Sequence, residues 1–207
     1  MSRPDYMKQI EDRIQSMPEG TVFITSDFLD LAETSAINKA LSRLATSGTI
    51  RRIVRGIYDR PAFSELLQEH AAPDMEQVAK ALARNYGWTI IPCGDTALNL
   101  LGLSTQVPAV WQYVSDGPYR RYTIGNRVLS FKHGANRDVS GLSDRYALVV
   151  QALKALGKDR VDQSALEKLA SILSPKERLA FLKDTQHRTA WINQVAKEMV
   201  ALGWEEK

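Results

Sequence analysis

Cysteine is almost absent from this chain. Cys93 is the only one among 207 residues, so no disulfide can form within it. One thiol and three scattered histidines, His70, His133 and His187, make a poor zinc set. Long apolar runs are missing too. No stretch is apolar enough to span a membrane, and the opening MSRPDYMKQIEDR lacks the apolar core of a signal peptide. Cytoplasm is therefore the expected compartment. A phosphate-cradling loop is also lacking, since Gly94-Asp-Thr and Gly56-Ile-Tyr have neither the spacing nor the Lys-Ser/Thr partner. Neither His-Glu-x-x-His nor Gly-x-Ser-x-Gly occurs. Cys93 ends an apolar strand, where a packed thiol is the ordinary outcome, so a Cys93–His133 nucleophile–base pair is not expected. Asp95 and Asp116 fall near strand ends without the Glu-x-Lys of a nuclease strand. These absences argue against an enzyme and against a bound metal or cofactor.

What is present is charge in an uneven arrangement. The net charge is only +3, but residues 1–38 hold three basic and seven acidic side chains, whereas residues 39–60 hold six basic and one acidic. That packing of cations into one short segment is the footprint of a phosphate-contacting surface. The segment also has a recognisable shape. Ile37, Ala40, Leu41, Leu44 and Ala45 recur at helical spacing, with Thr34 as the expected N-cap and Gly48 as the stop. Behind that stripe lie Ser35, Asn38, Lys39, Ser42, Arg43 and Thr46. Two β-prone runs follow, Ile50–Val54 and Ile57–Arg60, split by Arg55-Gly56 and ended by Pro61.

Upstream, Pro4 suits a first helical turn, and Met7, Ile10, Ile14 and Met17 repeat at helical spacing until Pro18-Glu19-Gly20. Val22–Ile24 reads as a strand. Ser26 is placed to cap a brief helix with Phe28, Leu29 and Ala32 inward. Helix, strand, short helix, long helix, hairpin is the order of a winged helix-turn-helix. The expected architecture is thus α+β: a winged helix-turn-helix over residues 1–65, then a mixed α/β domain over 66–207 with a helical C-terminal part. In that second domain a helix runs from Met75 to Tyr86, Trp88–Cys93 is a strand, and Asp95 caps a short helix over 96–101. Val110–Val114, Arg121–Ile124 and Arg127–Phe131 are strands, with Gly125-Asn126 as a hairpin turn. Four helices follow from Leu142.

In this reading the long helix enters a major groove. Ser35, Asn38, Lys39, Ser42 and Arg43 are the candidates for base or nearby phosphate contact, and Arg51, Arg52 and Arg55 are expected on the DNA backbone. The run ALSRLATSGTIRRIVRGIYDRP, with Leu41, Arg43, Leu44, Gly48, Arg55-Gly56, Tyr58 and Pro61, resembles the N-terminal winged helix of AbiEi-family antitoxins. A weaker likeness continues through ALNLLGLSTQVP at 97–108. The resemblance implies a transcriptional repressor of its own operon in a type IV toxin-antitoxin system. It implies double-stranded operator DNA as one partner, an inverted repeat being one form such an operator takes. The other is a nucleotidyltransferase-like toxin, neutralised without a stable complex being required. The alternative is a winged-helix regulator whose C-terminal domain binds a ligand or a protein.

Overall fold

The computed structural model describes residues 6–66, 68–134 and 141–202; Pro4 lies outside them. The chain is mixed α and β and divides into two units, Met1–Trp88 with Ile124–Asn126, and Thr89–Thr123 with Arg127–Lys207. No helix among the described residues is long and apolar enough to cross a membrane.

The first unit begins with helix α1 (Tyr6–Ser16), strand β1 (Val22–Ile24) and a 3₁₀ turn over Thr25–Phe28. Helix α2 (Thr34–Thr46) and the hairpin of β2 (Arg51–Val54) and β3 (Ile57–Asp59) come next. A small ladder, β4 (Phe63–Ser64) with β5 (Glu69–His70), leads into helix α3 (Met75–Tyr86). The apolar spacing of the sequence sets the packing. Ile10 and Ile14 of α1 meet Ile37, Ala40, Leu41 and Leu44 of α2 in one buried cluster with Phe23, Phe28, Ile50 and Tyr58. Phe23 is stacked on Tyr58 with ring centroids 6.3 Å apart and meets Phe28 edge-on at 5.6 Å. Each fully buried aliphatic such as Leu41 contributes about 1.5–3 kcal/mol, so this cluster fixes how α2 sits. The sheet order is β1-β3-β2, all antiparallel, with β3 buried along its whole length.

Three departures from expectation concern the helices and the end of this unit. Thr34 is the first helical residue of α2, not its cap; Glu33 takes that position without a side-chain bond. The short helix is a 3₁₀ turn opening at Thr25, and Leu29, expected inward, is 53 % exposed because the turn ends at Phe28. The Asp27 carboxylate there accepts from the Ile24 backbone N–H at 2.9 Å. The third departure concerns the boundary expected after residue 65, since α3 packs on β1 and β3. The Val22 N–H donates to Gln77 Oε1 at 3.3 Å, and Arg84 pairs with Asp27 at 3.2 Å. The first unit accordingly runs on to Trp88.

The second unit comprises β6 (Ile90–Pro92), α4 (Asp95–Leu100), β7 (Val110–Ser115), all but the last residue of β8 (Arg120–Ile124) and β9 (Arg127–His133), then α5 (Asp144–Leu156), α6 (Gln163–Ile172), α7 (Pro175–Thr185) and α8 (Ala190–Ala201). Its sheet has the order β6-β7-β9-β8, with β7 and β9 parallel. Asp95 is the first residue of α4, and Gly94 holds the cap position. Val149, Val150 and Leu153 of α5 share one buried core with Ile91, Ala97, Leu169, Phe181 and Met199. Ser143, Asp162 and Ser174 cap α5, α6 and α7 through their side chains.

Candidate nucleic-acid interface

Helix α2 turns two different faces to its surroundings. Taking 100° per residue, Ser35, Lys39, Ser42 and Thr46 point within about 30° of the direction opposite the buried stripe, with Asn38 and Arg43 about 70° to either side. All six side chains are exposed. No acidic residue lies within the helix. Lys39 and Arg43 are one turn apart, and neither enters any ion pair found among the described residues. Asn38 is held from outside the helix, because the Thr25 hydroxyl donates to its Oδ1 at 2.8 Å. The Ser42 carbonyl accepts from the Thr46 hydroxyl at 2.9 Å, leaving the Ser42 side chain outward.

The hairpin divides its arginines into two kinds. Arg55 and Gly56 form the tip between paired Val54 and Ile57, and Gly56 has φ +81°, a backbone state that favours glycine. Arg52 and Arg55 are exposed. Arg51 is different. Its Nε donates to Asp59 Oδ1 at 3.1 Å, its Nη2 to Asp59 Oδ2 at 2.5 Å and its Nη1 to the Ala71 carbonyl at 2.9 Å. Asp59 is fully buried, so this guanidinium serves the fold and is removed from the expected phosphate-contacting set. Arg60, part of the same basic run, also turns inward. It donates to the Gln15 carbonyl at 2.9 Å and to the Met17 carbonyl, beyond the end of α1.

The structure thus keeps Ser35, Asn38, Lys39, Ser42 and Arg43 on one exposed helix surface, and Arg52 and Arg55 exposed on the hairpin. Chemically these are hydroxyl and amide groups flanked by cations, a set that can bind anions and hydrogen-bond base edges. Thr25 and Asp59 were not legible as participants. Asp59 lay in plain view as the one acid of the basic run, but its partner depended on strand register.

The candidates weighed for catalysis do not converge. Cys93 is buried, and loss of solvation raises its thiol pKa, with Lys132 opposing the shift. Its N–H bonds the Gln112 carbonyl, whereas His133 pairs across from Ser115. Those levels differ by three residues along β7, about 10 Å. The His133 ring Nδ1 donates to the Gly117 carbonyl at 2.9 Å. Asp116 accepts from the Thr89 N–H at 2.8 Å. Among the described residues no group of three or more His, Cys, Asp or Glu side chains is arranged to hold a metal.

Comparison with known proteins gives a family and a distant structural likeness. The model of DUF6088, a family of unknown function, matches residues 9–180. The crystal structure of the RV2827C protein from Mycobacterium tuberculosis is similar at 16% identity and a TM-score of 0.46, over 98% of this chain and 78% of that one. No curated protein matches. With most of its length matched by that one family model, the chain belongs to DUF6088, a family of unknown function.

Proposed function

We propose that the first unit is a winged helix-turn-helix DNA reader, and that the chain is a sequence-specific transcriptional repressor of the AbiEi antitoxin type, working in the cytoplasm. One observation carries the reading: the exposed face of α2 offers Ser35, Asn38, Lys39, Ser42 and Arg43, with no acid in the helix and, among the described residues, no ion pair at Lys39 or Arg43. A free cationic helix face of this width fits the major groove, where hydroxyl and amide groups meet base edges and cations meet phosphate. The order of α1, β1, 3₁₀ turn, α2 and the β2–β3 hairpin supports it, with Arg52 and Arg55 on the wing. Arg51 braces that wing. In this reading the protein represses its own operon and counters a nucleotidyltransferase-like toxin encoded beside it, without chemistry of its own. Two experiments test it. Duplex binding to upstream DNA should be sequence-selective, and expression of the adjacent reading frame should be toxic unless this protein is present.

A second reading keeps the DNA-binding unit and gives the other unit a small anionic ligand. It rests on a cleft of about 310 Å³ lined by Gly102, Ser164, Arg160, Asp162 and Lys168.

A further inference from the structure

The tip of the wing has a neighbour outside the hairpin and α2. A Cβ placed on Gly56 would lie 3.8 Å from Asn85 Oδ1, so the last turn of α3 borders the Arg55-Gly56 tip at van der Waals range. Arg84, one residue earlier, pairs with Asp27 of the 3₁₀ turn at 3.2 Å. That turn reaches α2 through the hydrogen bond between Thr25 and Asn38. Contacts thus run from the flank of α2 through the turn and the end of α3 to the wing tip. Asn38, Arg84, Asn85 and Arg55 are exposed along that line. Asp27, the acid of the 3₁₀ turn, is matched by Arg84. Two of the carbonyls that end α3 are taken as well: the Trp88 N–H donates to the Ala83 carbonyl at 2.9 Å and the Gly87 N–H to that of Arg84 at 3.4 Å. Among the described residues the Asn85 amide has no hydrogen-bond partner.

We infer that Asn85 contacts the DNA backbone, so that the end of α3 extends the proposed reading surface beyond the wing. The inference rests on the proposed DNA-reading role of α2 and the hairpin, and it adds a third element to that surface. In that reading Arg55 meets a phosphate from the tip. A side chain touching the next residue of the same tip reaches the same stretch of backbone. An exposed amide without a partner turns its Nδ2 outward at little cost and donates to a phosphate oxygen, as asparagine does at many protein–DNA interfaces. Such a contact fixes position and carries no base preference. Being neutral, it also releases no counterion. Asn85 therefore adds affinity without adding salt dependence, which separates it from Arg55.

The test is duplex affinity of the full-length protein across salt, for wild type, Asn85→Ala, Asn85→Lys and Gln15→Lys. Gln15 is exposed on α1, the helix packed against the buried side of α2, and controls for added charge. Asn85→Ala should bind every sequence about tenfold more weakly, with the wild-type slope. Asn85→Lys should steepen the slope of log K against log salt by about one, whereas Gln15→Lys should leave it unchanged. Should Asn85→Ala lower the urea midpoint, the Asn85→Lys slope alone decides. An Asn85→Lys slope no steeper than that of Gln15→Lys overturns the contact, as does a stable Asn85→Ala protein that binds as wild type does. Affinity lost by Asn85→Ala on particular sequences only overturns the backbone assignment. Wild type without salt-dependent duplex binding removes the DNA-reading role, and this inference with it.

Discussion

Arg51 and Asp59 face each other across the β2–β3 ladder and share two hydrogen bonds, of 2.5 and 3.1 Å. A third bond, from the same guanidinium to the Ala71 carbonyl, ties the segment after β5 to the hairpin. The pair therefore fixes the strands from which Arg52 and the Arg55 tip project. Two adjacent arginines thus have separable consequences.

Arg51→Ala leaves a fully buried carboxylate without its partner, which should cost about 3 kcal/mol of stability. Arg52→Ala touches only an exposed side chain and should stay within about 0.5 kcal/mol of wild type. Urea denaturation distinguishes them. In duplex binding, folded Arg52→Ala should be weaker on every sequence, with a salt slope shallower by about one. Equal stability of the two variants would contradict the structural role given to Arg51.

The reason this division was not legible in the sequence is one residue of register. A regular two-residue hairpin around Arg55-Gly56 places Arg52 opposite Asp59. An irregularity between Arg52 and Val54 moves Arg51 there instead. Strand register at a bulge depends on packing across the sheet, which local pattern does not encode. The same limit explains α3. Its start, its end at Gly87 and its apolar stripe follow from local sequence, but nothing local says which sheet it covers. The parallel pairing of β7 with β9, which sends β8 to the sheet edge, is likewise a long-range choice. By contrast, the stripe of Ile37, Ala40, Leu41 and Leu44 was legible because helical period and burial coincide, and with it the exposed face bearing Lys39 and Arg43.

The acid limb of the stability curve should report on the start of α7. The Ser174 hydroxyl donates to Glu177 at 2.7 Å and the Ser174 N–H at 2.8 Å, while Arg145 of α5 donates to the other oxygen at 3.0 Å. These bonds hold the Glu177 carboxyl below its ordinary value, the Ser174 hydroxyl first among them. A depressed folded pKa means stability that is present above the unfolded value, about 4.3 for glutamate, and lost as pH falls through the folded one. Glu177→Gln should therefore lie closer to wild type at pH 3 than at pH 7 in urea midpoint. Ser174→Ala should cost about 1 kcal/mol at neutral pH. A constant gap between Glu177→Gln and wild type across that range would refute the linkage.

Cys93 offers a reporter of global opening. It is the only thiol, it is buried, and desolvation raises its pKa. A raised pKa means less thiolate at any given pH, so reaction with a chromogenic disulfide should be slow in the folded protein at pH 7.5 and complete in denaturant. Rapid stoichiometric modification under native conditions would show that the thiol is accessible after all.

The most direct test of the electropositive reading surface is the salt dependence of duplex binding by wild type and by Lys39→Ala, Arg43→Ala, Arg52→Ala and Arg55→Ala. Four exposed cations predict a slope of log K against log salt near −3.5, becoming shallower by about one with each replacement. A slope near zero, or one that none of the four replacements alters, would contradict it.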